Sequence, residues 1–208
     1  MTTAKTSTKT VVTTTTAGDV TITSHFACSQ LDNITRINGN LLIKAAAALT
    51  SLSCLSNLLV VTGSLTILGN DDLGTAVLPS LTSVGTYIYI GSNSKLTDVS
   101  FSQLSSIGSF VDVSDNDQLQ TISLPRLSST GDFFDVYENT KLTTLLANAL
   151  RTVTGHVQIR KTKLTQYDGM ILLACVLDGR TDLRDSSSSA FEARVKVAAA
   201  AWRSPTCV

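Results

Sequence analysis

The stretch LPSLTSVGTYIYIGSNSKL, from Leu78 to Leu96, holds most of one unit of a repeat. A leucine at the position of Leu81 recurs every 23 residues, at Leu58, Leu81, Leu104, Leu127 and Leu150. In the segment that follows it, Ile88 and Ile90 alternate with tyrosines, and this period of two indicates a β-strand. One unit cannot bury its own apolar edge, so successive units must stack and share a core. The sequence therefore predicts an all-β, right-handed β-solenoid of about six coils.

Other columns keep the same spacing. Paired inward-facing apolar residues recur in each main strand, at Leu65/Ile67, Ile88/Ile90, Val111/Val113, Phe134/Val136 and Val157/Ile159. An asparagine column predicts a stacked turn whose amides hydrogen-bond from coil to coil, at Asn70, Asn93, Asn116 and Asn139. A glycine column before each main strand predicts a bend that needs positive φ or a close approach, at Gly63, Gly85, Gly108, Gly131 and Gly155. An earlier coil with one extra residue and a half coil, Gly18 to Ser24, are predicted before these.

Three segments follow from this pattern. Residues 1–17 form a Thr-rich N-terminal arm, residues 18–164 the solenoid, and residues 165–208 a C-terminal cap. The cap is predicted as two short α-helices, one beginning at Thr165 and ending near Gly179, the other running from Ser189 to Trp202. Such lids are expected because the open edges of a solenoid would otherwise polymerise.

Composition excludes several classes of function. The net charge is zero and only 15% of residues are charged, so binding to nucleic acid or to an anionic membrane is not expected. No apolar run reaches the ~18 residues of a membrane span. The segment Met1 to Asp19 lacks the apolar core of a signal peptide. No zinc-binding Cys/His spacing is present, and no cofactor or metal is predicted.

The four cysteines lie near the two ends, as Cys28 and Cys54 and then Cys175 and Cys207. This placement predicts one disulfide per end in an oxidising compartment. Four free, buried thiols are the alternative, because thiols also behave as small hydrophobes. The sequon Asn33-Ile34-Thr35 predicts N-glycosylation of Asn33 if the chain is secreted.

The outward side chains of the main strands predict one contiguous patch, because stacked strands lie ~4.8 Å apart. The predicted partner-binding face comprises Tyr87, Tyr89, Phe110, Asp112, Phe133, Asp135, Tyr137 and His156. An exposed aromatic patch usually marks a binding surface. Two alternatives are that the aromatic column only helps parallel strands to pack, and that a loop or the Thr-rich arm covers it.

Asp112 and Asp135 occupy one column on adjacent coils, where two carboxylates repel each other. They could hold calcium or a substrate, or act as general bases as in β-helical polysaccharide lyases. Alternatively, solvent or a partner's arginine relieves an exposed pair. Because no third carboxylate and no Lys or Arg accompanies them in the column, catalysis is disfavoured. His156 is interpreted as another rung of the aromatic column.

The stretch from Leu78 to Leu96, together with INGNLLI (Ile37 to Ile43) after Cys28, resembles the receptor L-domain. This is the leucine-rich-repeat-like β-helix of insulin- and EGF-receptor ectodomains and of fungal GPI-anchored wall proteins. The resemblance covers roughly Cys28 to Leu164. It implies a non-catalytic extracellular module that binds a partner through its broad main sheet.

The predicted function is therefore that of a non-catalytic binding or adhesion module, presented extracellularly or at a surface. Its aromatic face would contact a protein or a glycan. The first alternative is a structural subunit of a cell-surface layer, filament or virion, in which the arm and caps join copies of the chain. The more distant alternative is a β-helical glycan-active enzyme.

Overall fold

The computed structural model describes residues 14–164, together with the backbone of residues 166–168 and 181–182. Over this range the chain winds into an all-β, right-handed solenoid of about six coils, as the repeat predicts. Three sheets run along the solenoid, and the strands that neighbour each other in them are parallel. Each coil from Val60 to Leu146 gives one strand to each sheet, because the inward-facing apolar columns recur once per coil, whereas the coil before it meets the five-stranded sheet only through a bridge between Ser51 and Thr75.

The strands of the three sheets have the following bounds in the described part of the chain. The eight-stranded sheet, called the main sheet below, comprises Val20–Ser24, Leu41–Ala47, Leu65–Leu68, Ile88–Gly91, Val111–Ser114, Phe134–Asn139, Val157–Thr162 and Thr181–Asp182. The seven-stranded sheet comprises Thr14–Ala17, Ile34–Asn38, Val60–Val61, Ser83–Val84, Ser106–Ile107, Ser129–Thr130 and Thr152–Val153. The five-stranded sheet comprises Thr75–Val77, Asp98–Ser100, Thr121–Ser123, Thr144–Leu146 and Gln166–Asp168.

The strand register follows the sequence repeat. Ile88 lies opposite Val111, 23 residues later, and the earlier coil keeps its extra residue because Leu41 lies opposite Leu65. The predicted inward columns are buried throughout, with Phe134 and Val136 fully inaccessible. The half coil is present as Val20–Ser24, and Thr14–Ala17, in the predicted arm, pairs with Ile34–Asn38.

The predicted asparagine column forms a continuous, fully buried ladder. Asn93 donates its side-chain amide to Asn116 Oδ1 at 3.1 Å, and its own Oδ1 accepts from the amide of Asn70 at 3.0 Å. The backbone N–H groups of Asn70, Asn93 and Asn116 also donate to the next side chain, as Asn93 N does to Asn116 Oδ1 at 3.0 Å. Thr162 lies opposite Asn139 and takes the place of asparagine in the last coil.

The residue before each rung of this ladder adopts a left-handed conformation. The column begins with Gly69 at a φ of 63° and continues in non-glycine residues: Ser92, Asp115, Glu138 and Lys161, with φ from 51° to 56°. This region costs an L-residue about 1–2 kcal/mol. We infer that the asparagine bonds hold the turn in it.

The glycine column before the main strands has a different purpose. None of these five glycines has a left-handed φ. Of the two reasons expected for glycine at this bend, close approach is the one that the structure shows. A Cβ on Gly108 would lie 2.0 Å from the carbonyl oxygen of Gly85, and one on Gly131 would lie 2.1 Å from that of Gly108. Successive coils therefore touch backbone to backbone at this corner.

A short α-helix, His25–Ser29, and a 3-10 helix, Ser53–Leu55, lie near the N-terminal end of the solenoid. The Ser24 hydroxyl caps the α-helix by accepting from the N–H of Ala27 at 3.1 Å. A disulfide joins the two helices, between Cys28 and Cys54, whose Cα atoms are 5.7 Å apart. This confirms the first predicted disulfide, while Cys175 and Cys207 lie outside the described residues.

The C-terminal prediction needs correction where the chain is described. Residues Gln166–Asp168, assigned from sequence to the start of a helix, form a strand that pairs with Thr144–Leu146. Thr181–Asp182, which lies between the two predicted helices, pairs with Val157–Gln158 of the main sheet. An open sheet edge offers a full set of hydrogen bonds, which outweighs a local capping pattern. The rest of the two predicted helices lies outside the described residues.

Candidate functional site

Four rings stack in one column on the outward face of the main sheet. The centroids of Tyr87 and Phe110 are 4.7 Å apart, those of Phe110 and Phe133 4.4 Å, and those of Phe133 and His156 5.3 Å. The interplanar angles are 2°, 12° and 18°. The structure therefore brings these four predicted residues together as one aromatic ladder, at the spacing of the strands.

The stacking decides which part of each ring a ligand could touch. The faces of Phe110 and Phe133 are covered by the neighbouring rings. Tyr87, Phe110 and Phe133 are half-buried, and His156 is exposed. The ladder therefore offers a ridge of ring edges, which suits packing against aliphatic and aromatic side chains better than stacking on a flat sugar ring.

Beside the ladder, Asp112 and Asp135 lie directly opposite each other on neighbouring strands. Asp112 is half-buried and Asp135 is buried. Within the described part of the chain, the Oδ1 atom of each is buried and has no hydrogen-bond partner.

The electrostatic surroundings of the two carboxylates differ. Burial raises the pKa of Asp112, and the charges of Asp135 and Asp115 add to the rise, while the nearby Ser114 hydroxyl offsets part of it. Burial also raises the pKa of Asp135, but His156 and Arg160 oppose that rise. Positive charges therefore oppose the rise in pKa at Asp135 but not at Asp112.

Two basic side chains lie near the pair, and one of them contacts it. His156 Nε2 lies 3.2 Å from Asp135 Oδ2, so His156 is both a rung of the ladder and a partner of this carboxylate. Arg160 stacks on the ring of Tyr137, with its guanidinium carbon 4.8 Å from the ring centroid. The column of Asp112 and Asp135 itself contains neither Lys nor Arg, and both basic groups come from the neighbouring columns.

Ser114 completes the site and was not predicted. It is fully buried between Gly91 and Tyr137, which lie opposite it on the two adjacent strands. Its hydroxyl acts on both the Asp112 carboxylate and the Tyr137 hydroxyl, and it lowers the pKa of each. The hydroxyl end of Tyr89 bends over Gly91, where an added Cβ would lie 2.5 Å from it. The sequence signal for Ser114 was its small size in an outward column that also contains Leu68, Tyr137 and Arg160.

Residues 12–123 match the family model of the receptor L domain. The chain belongs to the receptor L domain family. No curated protein and no solved structure matches it. The matched range of this receptor L domain includes Tyr87, Phe110 and Asp112, and the repeat continues past it with Phe133, Asp135 and His156 in register. Receptor L domains are non-enzymatic binding domains.

Two classes of site are not found in the part of this receptor L domain that the structure describes. His, Cys, Asp and Glu side chains do not gather there in groups of three that could hold a metal ion. No helix in that part is long and apolar enough to cross a membrane.

Proposed function

We propose that this receptor L domain binds a protein partner through the outward face of its main sheet, with the aromatic ladder as the apolar centre of the contact. The observation that carries the proposal is the half-buried stack of Tyr87, Phe110 and Phe133 on the outward face of the main sheet. Aromatic residues dominate the energetics of protein interfaces, because they bury a large area at a small entropic cost.

A protein partner fits the site better than a glycan. Because the rings cover one another's faces, a sugar would find only ring edges along most of the ladder. The family supports the same choice, since receptor L domains bind protein ligands in receptors. The Cys28–Cys54 disulfide supports an extracellular place for this contact, because such bonds persist in oxidising compartments.

The predicted glycosylation site at Asn33 supports an extracellular location. A glycan there would lie beside the seven-stranded sheet and not on the main sheet. The Asn33 side chain is exposed, and it directly precedes Ile34–Asn38, a strand of the seven-stranded sheet rather than of the main sheet. We propose that a secreted form of the chain carries an N-linked glycan at this position.

The test removes the apolar centre and measures binding. The full chain would be immobilised and exposed to an array of purified extracellular proteins, beside the double variant Phe110→Ser/Phe133→Ser. A matched control, Val77→Ser/Leu146→Ser, makes the same kind of change on outward positions of the five-stranded sheet. We expect proteins that bind the wild type and the control to lose at least ~100-fold in affinity for the double variant, since two interface anchors contribute about 2 kcal/mol or more each. Equal binding to all three forms would refute the proposal.

A further inference from the structure

Gly91, the last residue of the main strand Ile88–Gly91, is a glycine for neither of the usual backbone reasons. Its φ is not left-handed, because only Gly18 and Gly69 among the described glycines have a positive φ. The three nearest atoms that an added Cβ would meet belong to the side chain of Tyr89 and not to the backbone. They are Oη at 2.5 Å, Cζ at 2.7 Å and Cε2 at 3.3 Å. The missing side chain of Gly91 therefore leaves the space that the hydroxyl end of Tyr89 occupies.

The position of that hydroxyl fixes the direction of the Tyr89 side chain. Tyr87, Tyr89 and Gly91 follow one another on the outward side of the same stretch of chain, about 6.6 Å apart, because alternate residues of a strand share a face. Tyr87 belongs to the aromatic ladder, and Gly91 lies on the opposite side of Tyr89. The Tyr89 side chain therefore points away from the ladder and leaves the ring edges of the ladder accessible.

The neighbouring strands hold a second tyrosine beside Tyr89. Gly91 lies opposite Ser114, which is 0% exposed, and Ser114 lies opposite Tyr137. The Ser114 hydroxyl is close enough to the Tyr137 hydroxyl to influence it. The guanidinium carbon of Arg160 lies 4.8 Å from the centroid of the Tyr137 ring. Tyr137 is thus held by side chains of two neighbouring strands, as Tyr89 is held over Gly91.

A tyrosine that is already in place costs less free energy to bind than a mobile one. Ordering a side chain with many rotamers at an interface lowers the affinity, and fixing it in advance removes that cost. Tyrosine also offers a large contact area for only two side-chain torsions. Tyr89 and Tyr137 are half-buried, so part of each ring remains available to a partner on this face.

A methyl group on Gly91 would displace the Tyr89 ring rather than the backbone. Side-chain carbons do not approach other heavy atoms within 3.0 Å, so Oη and Cζ of Tyr89 would have to move. Both atoms lie at the far end of a flexible side chain, which can rotate into another rotamer. The displaced ring would lose its fixed position, and rotation toward the ladder would cover the ring edge of Tyr87.

We propose that Gly91 is a positioning residue for partner binding, because the space above it holds Tyr89 as a fixed second anchor beside the aromatic ladder. This inference rests on the proposed function, since the anchor matters only if the partner docks on the main sheet. Gly91 itself is buried, so it acts through Tyr89.

The first test compares affinity with stability in Gly91→Ala. The probes are the array proteins that bind the wild-type chain, and we expect their affinity to fall about fivefold, the cost of ordering one side chain. The midpoint of urea unfolding should not fall, because the added Cβ meets only a movable side chain and alanine loses less conformational freedom than glycine on folding. Gly74→Ala, whose Cβ would meet nothing closer than 3.6 Å, is the matched control and should change neither quantity. Unchanged affinity in Gly91→Ala, or a midpoint that falls as in Gly108→Ala, would overturn the inference.

A double-mutant cycle tests whether Gly91 acts through Tyr89. Tyr89→Ala alone should weaken binding about 30-fold, as the loss of an interface anchor does. Adding Gly91→Ala to Tyr89→Ala should change the affinity by less than about twofold, because no ring remains to be displaced. If Gly91→Ala costs as much affinity without Tyr89 as with it, the positioning role is wrong.

Nitration by tetranitromethane, followed by mass spectrometry, tests the position of Tyr89 without a partner. In the wild type, Cε2 of Tyr89, one of the two ring carbons that this reagent attacks, lies against Gly91. Gly91→Ala should raise the rate of nitration at Tyr89 relative to Tyr87, whose ring is stacked on Phe110. An unchanged ratio of the two rates would show that Gly91 does not position Tyr89.

The two proposals can fail separately. If Phe110→Ser/Phe133→Ser abolishes partner binding but Gly91→Ala binds with full affinity, the docking face stands and the positioning role of Gly91 is wrong. If the aromatic double variant binds the partner normally, the proposed function itself is wrong.

Discussion

Replacing Asn93 with alanine tests the feature that holds the solenoid turns in place. The Asn93 amide donates to the carbonyl oxygens of Ile67 at 3.1 Å and Gly91 at 2.9 Å. It also donates to Asn116 Oδ1 at 3.1 Å. Its Oδ1 accepts from both the backbone and the side-chain amide of Asn70, each at 3.0 Å. Alanine removes all of these bonds from a site that is 0% exposed.

The expected loss follows from those bonds. Each contributes about 0.5–1.5 kcal/mol net, and buried groups left without partners add a penalty. Partial relaxation of the turn will reduce the sum, so we expect a loss of about 4 kcal/mol in the free energy of unfolding, which is near the upper end for single substitutions. Asn139→Ala should lose less, because Asn139 is the last rung and its amide donates only to the carbonyl oxygens of Val113 and Tyr137 among the described residues.

Urea unfolding followed by circular dichroism would measure these losses from the midpoint and slope. Ser94→Ala is the matched control, because Ser94 is exposed and its hydroxyl donates one hydrogen bond, 2.9 Å to Asp71 Oδ1. We expect its effect to stay below about 0.5 kcal/mol. A loss of less than ~1 kcal/mol for Asn93→Ala would refute the idea that the asparagine ladder is a main source of stability.

The structure predicts whether each of three further substitutions raises or lowers the stability of the chain. Gly108→Ala should destabilise the chain by about 2 kcal/mol in the same assay, because its Cβ would lie 2.0 Å from a carbonyl oxygen of the preceding coil. Removing the disulfide with Cys28→Ser/Cys54→Ser should lower stability by about 3 kcal/mol for a bridge with a sequence separation of 26, measured by urea unfolding under non-reducing conditions. Asp112→Asn should raise stability at pH 7 by about 0.5 kcal/mol, since it removes one of two opposed charges.

The stability gained from Asp112→Asn should depend on pH in one direction. The pKa of Asp112 is raised in the folded state by burial first, with Asp135 and Asp115 adding to the rise. The folded state therefore holds this proton more tightly than the unfolded state, and stability falls as the pH rises from about 3.8 through the folded pKa. The advantage of Asp112→Asn should shrink as the pH is lowered toward that range. An advantage that grows on acidification would contradict this account.

The predictions for Gly108→Ala and for the double cysteine variant can each be contradicted by a specific result. Gly74→Ala should be nearly neutral, because its added Cβ would meet nothing closer than the Thr50 carbonyl oxygen at 3.6 Å. Equal losses at Gly74 and Gly108 would argue against backbone contact as the cause. An unchanged midpoint for the double cysteine variant would show that the bridge does not constrain the unfolded chain.

The repeat by itself determined the fold, the strand register and the membership of the outward columns. A constant interval of 23 residues leaves one way to stack coils, because a slip of one residue would turn every inward side chain toward solvent. The aromatic ladder and the asparagine ladder follow from the same interval, since residues at one repeat position must lie one strand spacing apart. The first disulfide could be proposed, but its pairing needed the Cα separation of 5.7 Å.

Only the tertiary structure decided which side chains of different columns contact each other. The contact of His156 with Asp135 and the stacking of Arg160 on Tyr137 join residues of different columns, and their rotamers are not encoded by a period of two. Ser114 is buried beside the larger Tyr137 on the next strand, and the left-handed turn after it is formed by Asp115 rather than by glycine. A sequence period fixes the face on which a side chain lies, whereas packing between coils decides which atoms meet and which remain without partners.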